Sequence, residues 1–257
     1  MRILQKLAVV MAAMLSAALV APSAQAQTAP PVQARNVVLI HGAWADGSSW
    51  AKVIPLLQAQ GLSVTAAQLP LTSFENDVAT ARRAIALVNG PIVLVGHSYG
   101  GAVITEAGTD RNVAALVYVA AFAPDVGQSA GSLGASVAPA PMAEHVRPDK
   151  EGYLKLTSTG IKENFAQDLT DVEKNVLLAT QAPTSGASLG GNVTAAAWKS
   201  KPSSYLVATR DRAIQPELER TMAKTIRAKT IEVASSHVAM LSHPQDTADL
   251  IIEAASR

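Results

Sequence analysis

The 257-residue sequence contains no cysteine. It therefore has no disulfide framework and no lipid-modified N-terminal cysteine, and its fold must rest on packing alone. Charge of either sign is scarce and nearly balanced, with 21 Lys and Arg against 20 Asp and Glu, which argues against nucleic acid or an anionic membrane as a partner. No pair of histidines and carboxylates stands at metal-ligand spacing, so we expect no metal and no other cofactor.

Long apolar runs are also lacking, apart from one near the N-terminus. Residues 7–20 are apolar except for Ser16, they follow Arg2 and Lys6, and they precede Ala-Gln-Ala at 24–26. This order is that of a secretory signal peptide, and the apolar run is shorter than the roughly 20 residues that a spanning helix needs. We therefore expect residues 1–26 to be a cleaved signal peptide and the protein to be exported, periplasmic or secreted, with no membrane segment after cleavage.

Cleavage after residue 26 would leave 231 residues and change the formal charge from +1 to −1, because Arg2 and Lys6 are removed. That length fits one α/β domain with an insertion. Residues 27–35 are rich in Ala, Pro and Gln and predict a loose N-terminal tether. The folded domain is expected over residues 36–257.

Strand and helix patterns alternate through most of this domain. Short apolar runs predict strands at 36–40, 62–67, 92–95, 113–119, 204–209 and 230–233. Helical periodicity between and after them predicts helices at 50–60, 74–88, 98–108, 216–227 and 244–255. Such alternation is typical of the α/β class, with a doubly wound, mostly parallel sheet, here of about six strands.

The alternation stops over about residues 124–203. This segment is rich in Ala, Ser, Gly and Pro, with weak helical patterns at 149–156, 161–167 and 171–179. We interpret it as an insertion that forms a small helical cap over the carboxyl ends of the strands. Its few aromatic and apolar side chains fit either a modest pocket or the core of the cap.

Gly-His-Ser-Tyr-Gly at 96–100 directly follows the apolar strand pattern 91–95. A G-x-S-x-G sequence between a strand and a small-residue helix is the nucleophile elbow, in which a sharp turn lifts the serine hydroxyl out of the sheet. Ser98 is therefore the candidate nucleophile, and it needs a base because a free hydroxyl is weakly nucleophilic. No lysine follows these glycines as in a phosphate-binding loop, so no nucleotide is expected.

The base should lie far downstream, because this construction orders its residues serine, acid, histidine. His237 follows the predicted strand 230–233 and precedes the last helix, so its loop should lie over the carboxyl edge of the sheet, where open α/β sheets bind ligands. The other histidines fit less well, since they end a strand, adjoin the nucleophile, lie in the insertion or begin a helix: His41, His97, His145 and His243.

Asp211 is the candidate acid, because it follows the predicted strand 204–209 and could orient the imidazole. Its main rival is Asp125, which comes after the strand 113–119. Two backbone N–H groups must also stabilise the developing oxyanion. We expect them from Tyr99, next to the nucleophile, and from Ala43 in the loop after the first strand, with Trp44 as the alternative.

These residues resemble a known family. The stretches 37–44, 93–101, 119–125, 209–212 and 236–241 are similar to serine hydrolases of the α/β-hydrolase superfamily, in the branch that contains plant methyl esterases, hydroxynitrile lyases and many bacterial esterases. The resemblance implies the α/β-hydrolase fold with a small helical cap, a triad of Ser98, Asp211 and His237, and oxyanion donors at Ala43 and Tyr99.

Two departures from the family pattern matter. Residues 27–35 are too short to supply the two extra N-terminal strands that many members have, so six strands are expected. In the hydroxynitrile lyases a lysine follows the catalytic histidine, and here that position is Val238.

The leading hypothesis is hydrolysis of small-molecule carboxylic esters through an acyl-enzyme, by a monomer or a homodimer. The alternatives are a lyase-like or cofactor-free perhydrolase activity on the same fold, and a non-catalytic binding protein.

Overall fold

The computed structural model describes residues 33–256. The predicted signal peptide and most of the predicted tether lie outside the described residues. Within them, nine strands follow one another: β1 Asn36–Ile40, β2 Ser63–Ala67, β3 Ile92–His97, β4 Val113–Val119, β5 Val146–Pro148, β6 Tyr153–Leu156, β7 Thr184–Ser185, β8 Ser203–Ala208 and β9 Lys229–Val233.

Six of these strands form one parallel sheet in the order β2-β1-β3-β4-β8-β9. Every residue of the interior strands β3 and β8 is buried, which explains why their sequences do not alternate between apolar and polar residues. The sequence analysis predicted this doubly wound sheet of about six strands, and the prediction is confirmed.

The helices described are α1 Ile54–Ala59, α2 Phe74–Ala86, α3 Gly100–Ala107, α4 Ala130–Gly134, α5 Asp171–Thr180, α6 Gly186–Gly190, α7 Pro216–Thr225, α8 Ala239–Ser242 and α9 Pro244–Ala255. Helices α2 and α3 pack against each other and against the sheet, while α9 packs against α1 and against β3, β4 and β8. Right-handed crossovers place α1 on one face of the sheet and α2, α3 and α7 on the other, and the contact with α1 places α9 on the face of α1. Among the residues described, no helix is long and apolar enough to span a bilayer.

Residues 124–203 contain α4, α5 and α6 together with a small antiparallel sheet of β5, β6 and β7. The predicted helical stretch 149–156 is wrong, because β6 occupies 153–156. Gly152 has a left-handed φ of 83°, and the Asp149 carboxylate accepts the N–H groups of Glu151 and Tyr153 at 2.8 Å each. These contacts reverse the chain and pair β5 with β6 in a hairpin.

Strand connections reverse direction between β1 and β3. After β1 the chain moves outward to β2, whereas after β3 it moves the other way to β4. The loops that leave the carboxyl ends of β1 and β3 therefore diverge and open a crevice between them, which is where sheets of this kind bind ligands. Both loops carry residues singled out from the sequence, Ala43 after β1 and Ser98 after β3.

Candidate active site

Ser98 occupies a strained turn between β3 and α3, with a φ of 54°. A non-glycine residue rarely adopts this left-handed conformation, and it persists only where the surroundings enforce it. The close packing is visible at two glycines: a Cβ on Gly96 would lie 2.6 Å from the Gly100 carbonyl oxygen, and one on Gly100 would lie 2.6 Å from that of His41. The turn is held further by the Ser98 carbonyl oxygen, which accepts N–H groups from Gly101 and Phe122 at 3.0 Å each.

The structure brings Ser98, His237 and Asp211 together in one hydrogen-bonded series. His237 Nε2 lies 2.7 Å from the Ser98 hydroxyl oxygen, and His237 Nδ1 lies 2.5 Å from Asp211 Oδ2. The other carboxylate oxygen of Asp211 accepts the N–H groups of Ala213 and Ile214 at 2.6 and 2.9 Å. Asp211 thereby has one oxygen left for the imidazole, which fixes the proton on Nδ1 and leaves Nε2 as the acceptor facing the serine.

His97 supports the loop that carries His237. Its side chain points away from Ser98, and its Nε2–H donates to the His237 carbonyl oxygen at 2.9 Å. Complete burial, with a further contribution from the neighbouring His237 ring, holds the pKa of His97 well below its ordinary value, so this imidazole is neutral. Asp168 holds the same loop by accepting the Ser236 N–H at 2.7 Å. No sequence pattern points to Asp168, which lies in the inserted segment.

The two expected oxyanion donors are free to act. Within residues 33–256, the N–H groups of Ala43 and Tyr99 have no hydrogen-bond acceptor. The alternative donor, the Trp44 N–H, is already bonded to the Thr184 hydroxyl oxygen at 3.1 Å, and the Trp44 indole N–H donates to the Leu154 carbonyl oxygen at 2.9 Å. The small sheet of residues 146–185 therefore anchors the loop after β1.

Further buried polar groups shape both donor loops. His41 accepts the Leu69 N–H on Nε2 at 2.9 Å, so its Nδ1–H donates to the Gly42 carbonyl oxygen at 2.8 Å. The Tyr99 hydroxyl donates to Asp77 at 2.7 Å. Neither His41 nor Asp77 faces the nucleophile, and each holds a loop in place.

Three rival residues from the sequence contact residues other than Ser98. Asp125 is partly exposed and pairs with Lys199 at 2.5 Å. His145 lies in the inserted segment, 3.4 Å from the Thr157 hydroxyl oxygen, and His243 contacts the Ser242 hydroxyl oxygen at 3.0 Å. No group of three or more metal-ligating side chains that could hold an ion occurs among the described residues.

A cavity of about 560 Å³ opens above the serine and contacts Ser98, Tyr99 and His237. Its volume suits a small organic molecule. Small residues of α4 and of 135–143 form much of the wall, and none of the described residues that line the cavity is charged. The larger apolar side chains of the lining are Trp44, Phe122, Val137, Met142, Val146, Leu189, Ile214 and Leu218.

The fold agrees with comparisons to known proteins. The model of the Alpha/beta hydrolase family matches residues 37–250, so the chain belongs to that family, as the sequence motifs indicated. The chain is an enzyme of the hydrolase class.

Known proteins align with this chain over most of its length. It is 26% identical to Probable hydrolase R7 of Phoma sp., over 85% of this chain and 97% of that protein. It is also 26% identical to Methylesterase 8 of Arabidopsis thaliana, over 87% of this chain and 90% of that protein. The crystal structure of polyneuridine aldehyde esterase superimposes with a TM-score of 0.75 at 20% identity, covering 86% of this chain and 99% of that one, which is a likeness of fold.

Proposed function

We propose that the protein is a serine-dependent carboxylic-ester hydrolase with Ser98 as nucleophile, His237 as general base and Asp211 as the acid that orients the base. The observation that carries this proposal is the series of contacts from Asp211 through His237 to Ser98, at 2.5 and 2.7 Å, at the floor of a cavity. The hydrolase family and the relatives named as esterases also support an ester bond as the bond that is hydrolysed.

In the proposed mechanism His237 Nε2 takes the hydroxyl proton as Ser98 Oγ attacks the ester carbonyl carbon. The N–H groups of Ala43 and Tyr99 stabilise the oxyanion, and the N-terminal end of α3 adds a partial positive charge there. The alcohol leaves with the proton from His237, and Ser98 keeps the acyl group. Water then gives a proton to His237 and attacks the acyl carbon, which releases the carboxylic acid and restores the serine.

The test is the release of nitrophenol from short-chain nitrophenyl esters by the wild type and Ser98→Ala. We expect kcat to fall by about 10⁴–10⁶ in the variant, as in serine triads generally. Ser136→Ala, an exposed serine in the inserted segment, is the control and should leave kcat unchanged. Equal rates for the wild type and Ser98→Ala would refute the proposal.

We further propose that the substrate is a neutral, largely apolar ester. The support is the cavity lining, in which no charged side chain of the described residues could pair with a charge on the substrate. A carboxylate moved there would lose its hydration without gaining a partner. We expect 4-nitrophenyl pentanoate to be hydrolysed with a kcat/KM at least about 100-fold above that of the equally long 4-nitrophenyl hemiglutarate. Comparable values for the two esters would contradict the assignment.

We also propose that residues 1–26 direct export and are removed. The support is the basic, apolar and small-residue pattern of that segment. Expression of the full chain in a bacterial host, followed by mass spectrometry of the exported protein, should give a chain that begins at Gln27. Recovery of the uncleaved chain from the cytoplasm would refute this proposal.

A further inference from the structure

Glu219 is a buried carboxyl group directly behind the site, on α7. Its side chain is 0% exposed, and one oxygen, Oε2, accepts the N–H of Ala208 at the end of β8 at 2.9 Å. The other oxygen, Oε1, is buried and has no hydrogen-bond donor within residues 33–256. The carboxyl group lies against that of Asp211. Two carboxyl groups thus meet in the interior, and one of their oxygens has no donor.

The other charged or titratable groups near this pair do not neutralise it. Arg220, the next residue, turns its guanidinium to the surface, where it pairs with Glu217 and Glu232 at 2.5 and 2.7 Å. The hydroxyl of Tyr205 on β8 donates to the Ala121 carbonyl oxygen. Two ionised carboxylates in contact, without a cation between them, repel each other strongly, so one of the two holds a proton.

The hydrogen bonds decide which carboxyl group is ionised. Asp211 receives the N–H groups of Ala213 and Ile214 and faces the imidazole of His237, so three donors stabilise its negative charge. Glu219 receives the single N–H of Ala208. Burial, reinforced by the adjacent Asp211 charge, raises the pKa of Glu219 well above its ordinary value.

We propose that Glu219 is a positioning residue that stays protonated and donates its Oε1–H to the carboxylate of Asp211. This bond gives the orphan oxygen a partner and gives Asp211 one more donor besides its two backbone N–H groups and His237. It also leaves one negative charge behind the imidazole instead of two. The role in catalysis rests on the proposed esterase function, whereas the protonation state is a property of the folded chain whatever its substrate.

The protonation state is tested without turnover. The infrared difference spectrum of wild type minus Glu219→Gln at pH 7 should contain the carbonyl stretch of a protonated carboxylic acid. The matched control is Glu217→Gln, an exposed glutamate on the same helix, which should leave that band in place. A spectrum in which Glu219→Gln removes only carboxylate bands would overturn the proposal. An enzyme without esterase activity but with this band would refute the proposed function and leave the protonated Glu219 standing.

The thermal stability gives a second readout. An unfolded glutamate ionises at a pH of about 4.3, whereas Glu219 in the folded protein retains its proton to higher pH. The contribution of Glu219 to the stability of the wild type therefore decreases as pH rises from about 4.3 through the pKa of Glu219 in the folded protein. Glu219→Gln cannot ionise, so its stability lacks this decrease. We expect the difference in Tm, variant minus wild type, to increase between pH 4 and 8. A constant or decreasing difference would count against a protonated Glu219.

Positioning is tested with two variants of similar size. The amide of Glu219→Gln can accept from Ala208 and donate to Asp211, so kcat should stay within about 3-fold and the acid limb of the kcat/KM profile should not move. Glu219→Met cannot donate, so kcat should fall by about 10-fold or more at nearly constant KM, with the acid limb at higher pH. If the Gln variant shifts the acid limb to lower pH, Glu219 carries a charge in the wild type and the proposal is wrong.

Discussion

Both carboxylate oxygens of Asp211 have fixed partners, so replacing one oxygen by an amide nitrogen should change the hydrogen bonds of the site. Oδ1 accepts two backbone N–H groups and Oδ2 faces Nδ1 of His237. An amide at this position would keep its oxygen toward the backbone donors and turn its NH₂ toward the imidazole. The imidazole would then carry its proton on Nε2, where it could no longer accept the proton of Ser98.

For Asp211→Asn we therefore expect kcat/KM to fall by about 10³–10⁴ with little change in Tm. Steady-state kinetics and thermal unfolding of the same preparation measure the two quantities. The control is Asp125→Asn, because this partly exposed residue was the rival acid and pairs with Lys199 instead of with His237. Should Asp125→Asn inactivate the enzyme and Asp211→Asn spare it, the assignment of the acid would be wrong.

Some residues of the candidate site could be predicted from the sequence and others could not. Ser98 and His237 are recognisable because a local pattern and chain order point to them. Glu219 and Asp168 have no such pattern, since each acts through contacts that form only once α7 or the inserted segment packs against the sheet and its loops. A glutamate in a helix ordinarily faces solvent. Its burial here follows from the packing of α7 against β8.

At the scale of elements, the small sheet β5-β6-β7 is tied to the loop that carries one oxyanion donor. Thr184 on β7 accepts the N–H of Trp44, and Leu154 on β6 accepts its indole N–H. Trp44 itself has a left-handed φ of 56°, which the two bonds help to maintain. The position of the neighbouring Ala43 N–H therefore depends on the inserted segment.

Thr184→Val keeps the side-chain shape and removes the acceptor of the Trp44 N–H. We expect kcat to fall by about 10- to 100-fold because a displaced donor stabilises the transition state less well, with KM nearly unchanged. Thr180→Val, at an exposed threonine of α5, is the matched control. A lower Tm with wild-type kcat would mean that the contact contributes to stability alone.

At the scale of the whole molecule, Glu106 joins distant parts of the chain. It lies on α3, pairs with Arg82 of α2 at 3.2 Å, and accepts the N–H groups of Thr194 and Ala195 at 2.7 and 3.0 Å, where the inserted segment returns to the sheet. Burial acts to raise the pKa of Glu106, but the hydrogen bonds from 194–195 and the Arg82 charge hold it below its ordinary value. Its ionised form therefore stabilises the fold.

A carboxyl group whose folded pKa is lowered contributes stability above its unfolded pKa, and that stability disappears as pH falls through the folded pKa. Glu106→Gln should lower the free energy of unfolding at pH 7 by about 1–3 kcal/mol. The difference from wild type should shrink below pH of about 4.3. Denaturant unfolding over pH 3–8 measures this difference in the free energy of unfolding. The control is Glu75→Gln, because Glu75 is an exposed residue of α2. A difference independent of pH would contradict the role of the charge.

The sequence by itself determined the sheet, its helices and the order in which Ser98, Asp211 and His237 occur, because hydrophobic periodicity and the elbow glycines are local properties. It predicted a helix where the hairpin at 146–156 forms, because weak helical periodicity there competes with the local turn made by Asp149 and Gly152, and only pairing with the neighbouring strand β7 settles the outcome. Tertiary structure alone decided that the Trp44 N–H is occupied and that Glu219 faces Asp211. These contacts join different elements of the fold, and only packing brings such atoms within hydrogen-bonding distance.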